Sequence, residues 1–199
     1  MAKKADRAAL IVDAALRLAA RDGWRAFSLA DIAAEAGITV VQLYGVFRSK
    51  TAILDAFHRR IDAAVIARAG EAEGERQRDR LFDTLMRRFD ALLPYKAAMK
   101  AIARDLPTDP LAALCGVPVM LNSMGWMLEI SGVSATGWRG RARAKLLFGI
   151  YLSVLRTWFA DESADMTRTM AALDARLRQA ERWLGLAERA PEQPVDAPA

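Results

Sequence analysis

The chain has 199 residues, 53% of them hydrophobic, and a formal net charge of +5, enough to bury the core of one generous domain or two small ones. One cysteine, Cys115, and one histidine, His58, leave no internal disulfide framework, no cysteine metal site and little basis for zinc chemistry. With seven prolines and twelve glycines, many Ala, Leu, Arg and Met residues and no alternating Val/Ile/Thr run, the sequence predicts an all-α protein of about nine helices.

The pattern over 6–22 predicts the first helix, with Leu10, Ile11, Ala14 and Leu18 inward and Arg7, Arg17 and Arg21 left for solvent or phosphate. The opening Met1-Ala2-Lys3-Lys4 leads into this charged amphipathic helix and not into an apolar signal core, so a cytoplasmic location is expected. Trp24 and Phe27, after Gly23, should plug the small core beneath the next segment.

That segment, 28–50, carries the main signal. Ser28 and Asp31 have the S-x-x-D spacing of a capping pair, and Leu29, Ile32, Ala33 and Ala36 follow on one face. Gly37 suits the left-handed residue that ends a helix. Thr39 and Gln42 repeat the device as T-x-x-Q and open a helix with Val40, Val41, Leu43 and Phe47 as its apolar residues. Helix, short glycine turn, helix is the form of a helix-turn-helix. Its second helix has the diameter to enter the major groove of DNA.

A fourth helix, capped by Ser49, carries Ile53, Leu54, Phe57, Ile61 and Val65 at helical spacing and ends in the charged break Gly70-Glu71-Ala72-Glu73-Gly74. The fifth has Leu81, Phe82, Leu85, Phe89 and Leu92 inward and stops at Pro94. A short helix over 95–105 ends before Leu106-Pro107. Asp109-Pro110 is a start signal for a helix free of charge up to Leu128. Pro118, Gly116, Asn122, Ser123 and Gly125 argue against a membrane span there, and an all-round apolar helix bent at Pro118 is expected at the domain centre. The helix over 138–159 places Leu147, Ile150, Tyr151, Val154 and Trp158 on one face. The last, from about Ser163, spaces Met166, Met170, Leu173, Leu177, Ala180 and Leu184 as a seam for a partner helix. These elements divide into 1–55, a helix-turn-helix domain; 56–186, a helical ligand-binding and dimerisation domain; and 187–199, a Pro/Ala-rich disordered tail.

No catalytic constellation, phosphate loop or metal-ligand pair is found, so neither an enzyme nor a resident cofactor is expected. His58, beside Arg59 and Arg60, is expected to be a solvated surface residue, and Cys115 a buried, inert one. For DNA, Lys50 is a candidate phosphate donor, Tyr44 could offer its hydroxyl to the backbone, and Thr39 and Gln42 are polar groups that could reach bases. Val40 could meet thymine methyls, and Ser28, Lys3, Lys4, Arg25 and Arg48 are further candidates near the backbone. The charge-poor region of Cys115, Met120, Met124, Trp126 and Met127, with Met99, Tyr151 and Trp158, could surround an apolar ligand.

The run 37–50, with Leu43-Tyr44, Phe47 and Ser49-Lys50, together with Gly23-Trp24, Phe27-Ser28 and Ile32-Ala33, resembles the DNA-binding segment of the TetR family of bacterial repressors. The resemblance extends over about 11–57. It implies an N-terminal helix-turn-helix on a larger helical domain, a homodimer on palindromic operator DNA, release by a small effector, and backbone contacts by Tyr44 and Lys50. Val40, Val41, Gly45 and Val46 depart from the family's usual reading helix. A second, more scattered resemblance runs from Met124-Gly125-Trp126 through Trp138, Gly149-Ile150-Tyr151 and Ala160-Asp161-Glu162-Ser163 to Leu177. It is to the lipid-binding auxiliary proteins of ubiquinone biosynthesis, which share the fold, and it implies the alternative of an isoprenoid-holding accessory protein without specific DNA binding.

Overall fold

Two capping boxes shape the N-terminal end. Ser28 and Asp31 exchange bonds at the start of one short helix, and Thr39 and Gln42 do the same at the start of the next. Between them Gly37, at φ +67°, takes the left-handed conformation. It lets Ile38 N–H reach Ala33 O at 3.0 Å and Gly37 N–H reach Ala34 O at 3.1 Å, closing the first helix. In the computed structural model, which describes residues 2–68, 76–105 and 110–186, the regular structure among the described residues is all helical. The elements are α1 (Ala2–Asp22), α2 (Leu29–Glu35), α3 (Val40–Tyr44), α4 (Lys50–Ile66), α5 (Gln77–Leu92), a 3-10 turn (Leu93–Tyr95), α6 (Lys96–Asp105), α7 (Pro110–Ile130), α8 (Gly137–Ala160) and α9 (Thr167–Leu184).

The head is α1, α2 and α3 around Ile11, Ala14, Ala15, Leu18, Ile32, Ala33, Leu43 and Phe47, all buried. Trp24 and Phe27 close it edge to face, 5.5 Å between centroids. Arg17 and Arg21, read from sequence as left for solvent or phosphate, are exposed and also reach Glu35 on α2 at 2.9 and 3.7 Å. Leu10, expected inward, is 54% exposed, since the neighbouring Ile11 and Ala14 already take the inward arc of the helix.

In the body, α8 and α9 pack along each other, α7 packs on α8 and α4, and α5 fits against α4, α7 and α9, while α6 lies on α1. Phe89 stacks on Tyr151 at 5.3 Å and meets Trp158 at 5.7 Å. The α8–α9 corner is pinned by Asp161. Its carboxylate accepts from Ser163 Oγ at 2.5 Å, Thr169 Oγ1 at 2.7 Å and Thr169 N–H at 2.8 Å, while Lys96 donates to its carbonyl. Those hydroxyl donors hold its carboxyl well below the usual carboxylate range.

Two sequence expectations change. The helix α7 is not enclosed on all sides: Ser123, Met124, Met127 and Leu128 are buried, but Leu114 and Trp126 face outward. The α9 seam is not left for another chain, since Leu173, Leu177, Ala180 and Leu184 are buried where α9 packs on α8 and α5. The Gly70–Gly74 break, Leu106-Pro107, Asp109, the 187–199 tail and the side chains of Lys3, Lys4 and Cys115 lie outside the described residues.

Candidate nucleic-acid interface and the interior behind it

The five residues of α3 are held by one side and offered by the other. Leu43 is fully buried, whereas Val40 is 50%, Tyr44 60% and Val41 82% exposed. The capping box holds the ends of Thr39 and Gln42: Gln42 N–H donates to Thr39 Oγ1 at 3.2 Å, and Thr39 N–H donates to Gln42 Oε1 at 3.0 Å. The Gln42 amide N–H₂ is left as a donor for an outside acceptor. Arg48 stands over the Tyr44 ring, 5.7 Å from its centroid, which places a cation beside the presented aromatic. Ser28 is exposed, its hydroxyl tied to Asp31 at 2.8 Å, and its backbone and hydroxyl bonds lower the Asp31 carboxyl's pKa.

Lys50 is placed differently from the open phosphate donor expected from sequence. Its ammonium turns back into the head, donating to Trp24 O and, at 2.8 Å, to Phe27 O, with the two rings 4.7 and 3.9 Å away. Burial lowers its pKa, partly offset by Asp105 and Asp31. Sequence reasoning missed this because the acceptors are backbone atoms 23 and 26 residues away.

The head is fastened to the body at several points. Arg60 on α4 reaches Asp13 on α1 at 2.7 Å, and Arg25 N–H donates to Asp105 on α6 at 3.3 Å. Deeper in the body lies a polar cluster. Arg88 of α5, completely buried, donates through Nη1 to Asp62 Oδ1 of α4, which also accepts from Ser123 Oγ of α7 at 2.6 Å. The Arg88 guanidinium lies 5.6 Å from the centre of the Tyr151 ring. His58 is not the solvated surface residue expected: its Nδ1 is buried without a partner, and burial together with the Arg88 charge pushes its pKa down to about 4. The sequence did hold a signal for this cluster, since Arg88 falls on the same face of α5 as Leu81, Leu85 and Leu92.

Of the residues proposed to surround a ligand, Met99, Met124, Met127, Tyr151 and Trp158 are buried in the packed core and Met120 is half-buried. Trp126 alone lines the outer cleft of about 700 Å³ between α7 and α8, beside Leu121, Asn122, Arg141 and Lys145. The seven whose side chains are described therefore do not surround one described cleft. No group of three or more His, Cys, Asp or Glu able to hold a metal ion occurs among the described residues. No helix among them is long and apolar enough to cross a membrane.

These features define an all-α protein with a helix-turn-helix head mounted on a helical body. Residues 11–57 match the family model described as bacterial regulatory proteins, tetR family, and the chain as a whole has the fold of TetR-family transcriptional regulators. It is similar to the TetR transcriptional regulator from Nitrosomonas europaea, with 25% identity, a TM-score of 0.71, and coverage of 88% of this chain and 98% of that one. A TetR transcriptional regulator from Rhodococcus sp. RHA1 matches with 20% identity and a TM-score of 0.63 over 88% of this chain and 97% of that one. A tetR-family regulator from Streptomyces coelicolor matches with 18% identity and a TM-score of 0.57 over 91% and 86%. Comparison with curated protein sequences gives no match.

Proposed function

We propose that this protein is a dimeric transcriptional repressor that grips a palindromic operator through two copies of α3 and is released by a small ligand in the body. The observation that carries the reading is the division of α3: Leu43 is locked in the head core while Val40, Val41 and Tyr44 stand clear of the chain's own surface. In this reading Val40 and Val41 meet thymine methyls and the Gln42 amide reads a base acceptor. Tyr44 and Arg48 meet phosphates, and Ser28 and Thr39 set the helix ends close to the backbone. Lys50 acts by fixing the connection on which α2 rests.

The test is an electrophoretic shift on the gene's own upstream DNA with salt varied. Specific retardation that weakens steeply with salt is expected, and none at low salt would defeat the reading. Gln42→Ala should flatten the preference between operator and scrambled DNA. The α7–α8 cleft, with Trp126 half exposed, favours a second reading, an accessory protein that holds a lipid. Native mass spectrometry separates the two, because co-purified isoprenoid lipid together with no DNA retardation would support the second.

A further inference from the structure

Arg88 is a charged side chain with 0% exposure that its own chain satisfies only in part, through Asp62 and the neighbouring Tyr151 hydroxyl. Nη1 is taken by Asp62. Nε and Nη2 make up the edge that presents two parallel N–H donors, and both are buried with no acceptor. The indole N–H of Trp158, another fully buried residue, also lacks an acceptor, and its ring packs 5.7 Å from Phe89, the neighbour of Arg88 in the chain. Buried donors are nearly always satisfied, and leaving one without a partner costs about 1–3 kcal/mol, more when it is charged. A guanidinium edge with two N–H groups lacking an acceptor is free to receive one from elsewhere.

The acceptor that matches an open guanidinium edge is a carboxylate, which takes both donors at once. Arg88 is paired with Asp62, and Lys96 Nζ, which donates to the Asp161 carbonyl, sits 5.2 Å from the centre of the Trp158 ring. The half-buried His58, with its Nδ1 enclosed, is a group that would gain a proton if negative charge entered beside it. The neighbouring side chains Phe89, Tyr151 and Trp158 are aromatic and form one contiguous packed group, which has to part to admit a ligand. They suit the apolar body of the same ligand.

We propose that the body binds a small monocarboxylate with an apolar or aromatic body, its carboxylate held on Nε and Nη2 of Arg88. This rests on reading the body as the effector domain and narrows the effector from apolar to amphiphilic. The shared guanidinium supplies a consequence. The other side of Arg88 holds Asp62 on α4, the helix that runs up to the head, so a second carboxylate on Arg88 weakens the bond that fixes α4 to α5.

The test uses the full chain free of DNA, titrated calorimetrically and by tryptophan fluorescence with benzoate and decanoate, and with benzamide and decanol as uncharged matches. The carboxylates should bind at about 1 mM or below, raise Tm and change tryptophan emission, while the uncharged matches bind about tenfold more weakly or not at all. Arg88→Lys keeps a charge for Asp62 but loses the edge, and should weaken carboxylate binding about tenfold or more. Equal binding by amide and acid, no binding of either acid, or full binding by a folded Arg88→Lys protein would each overturn the site. If that variant does not fold, the acid-against-amide comparison on the wild type decides alone. Carboxylate binding by a protein that retards no DNA upholds the site and removes the repressor reading, and operator retardation without carboxylate binding does the reverse.

Discussion

Two side chains, Lys50 and His58, were read from sequence as surface groups, and both are held by the interior. Lys50 satisfies the carbonyls of Trp24 and Phe27, so Lys50→Met, which keeps the apolar stem, leaves two half-buried acceptors unpaired. It should cost about 1–3 kcal/mol in a denaturant titration. Because the ammonium is already engaged, the salt slope of DNA binding should stay as in the wild type. A slope reduced by about one would show a phosphate contact instead. His58 makes a prediction about pH. Its pKa is lowered in the folded state from 6.5 to about 4, so between those values the unfolded chain binds the extra proton and stability falls as pH falls. Above pH 6.5 both states are neutral and His58 contributes no slope. The loss has a ceiling of about 3 kcal/mol. His58→Leu should flatten the stability profile from pH 6.5 to 4. It should leave the steeper loss at lower pH, where carboxylates such as Asp161, whose pKa is lowered, take up protons. An unchanged slope would mean that His58 is solvated.

At the scale of elements, close packing sets the α7–α8 corner. A Cβ on Gly140 would lie 1.9 Å from the carbonyl carbon and 2.1 Å from the oxygen of Ala135, which are backbone atoms that cannot swing aside. Gly140→Ala should therefore destabilise by about 3 kcal/mol, at the upper end of overpacking costs, and lower Tm measurably. A Tm unchanged from wild type would mean that the corner is slack. Comparison of the elements also explains how much could be read in advance. The starts of α2 and α3 were legible to the residue, because the capping boxes and Gly37 are local signals, whereas α1 begins at Ala2 and not at Asp6, and Phe47 lies beyond the end of α3. The faces of α7 and α9 were not legible. A charge-free run in α7 announces burial without saying whether this chain or another covers it, and Leu114 and Trp126 are uncovered here. The heptad-like seam of α9 requires a partner helix, and α8 of the same chain supplies one. The Asp62–Arg88–Ser123 cluster joins α4, α5 and α7 across 26 and 61 residues, a separation at which only the inward position of Arg88 hinted.

For the whole molecule, operator binding on the proposed reading needs two heads at a fixed spacing of about one DNA turn or a multiple of it, hence a second copy. The α9 seam is spent within the chain, so a contact made by α8 and α9 would use the outer side of these two helices. There Ser153, Val154 and Thr157 of α8 and Ala172, Ala175, Arg176 and Gln179 of α9 line a groove of about 360 Å³. Leu152 beside it is 44% exposed, and Trp183, four residues beyond Gln179, is 76% exposed. Small residues flanked by large apolar ones allow two helix pairs to approach closely and bury the rims against each other. We expect the protein to run at twice its 21.9 kDa chain mass in light scattering at micromolar concentration. The double substitution Leu152→Glu with Ala175→Glu should give a monomer with unchanged far-ultraviolet circular dichroism, since neither side chain is in the core. That monomer should lose operator retardation while α3 remains intact, because one head alone forfeits the linked second contact. A dimer that survives the double substitution would move the interface to the α7–α8 side, where Trp126 lies, and a wild-type monomer that still binds the operator would remove the two-headed mechanism.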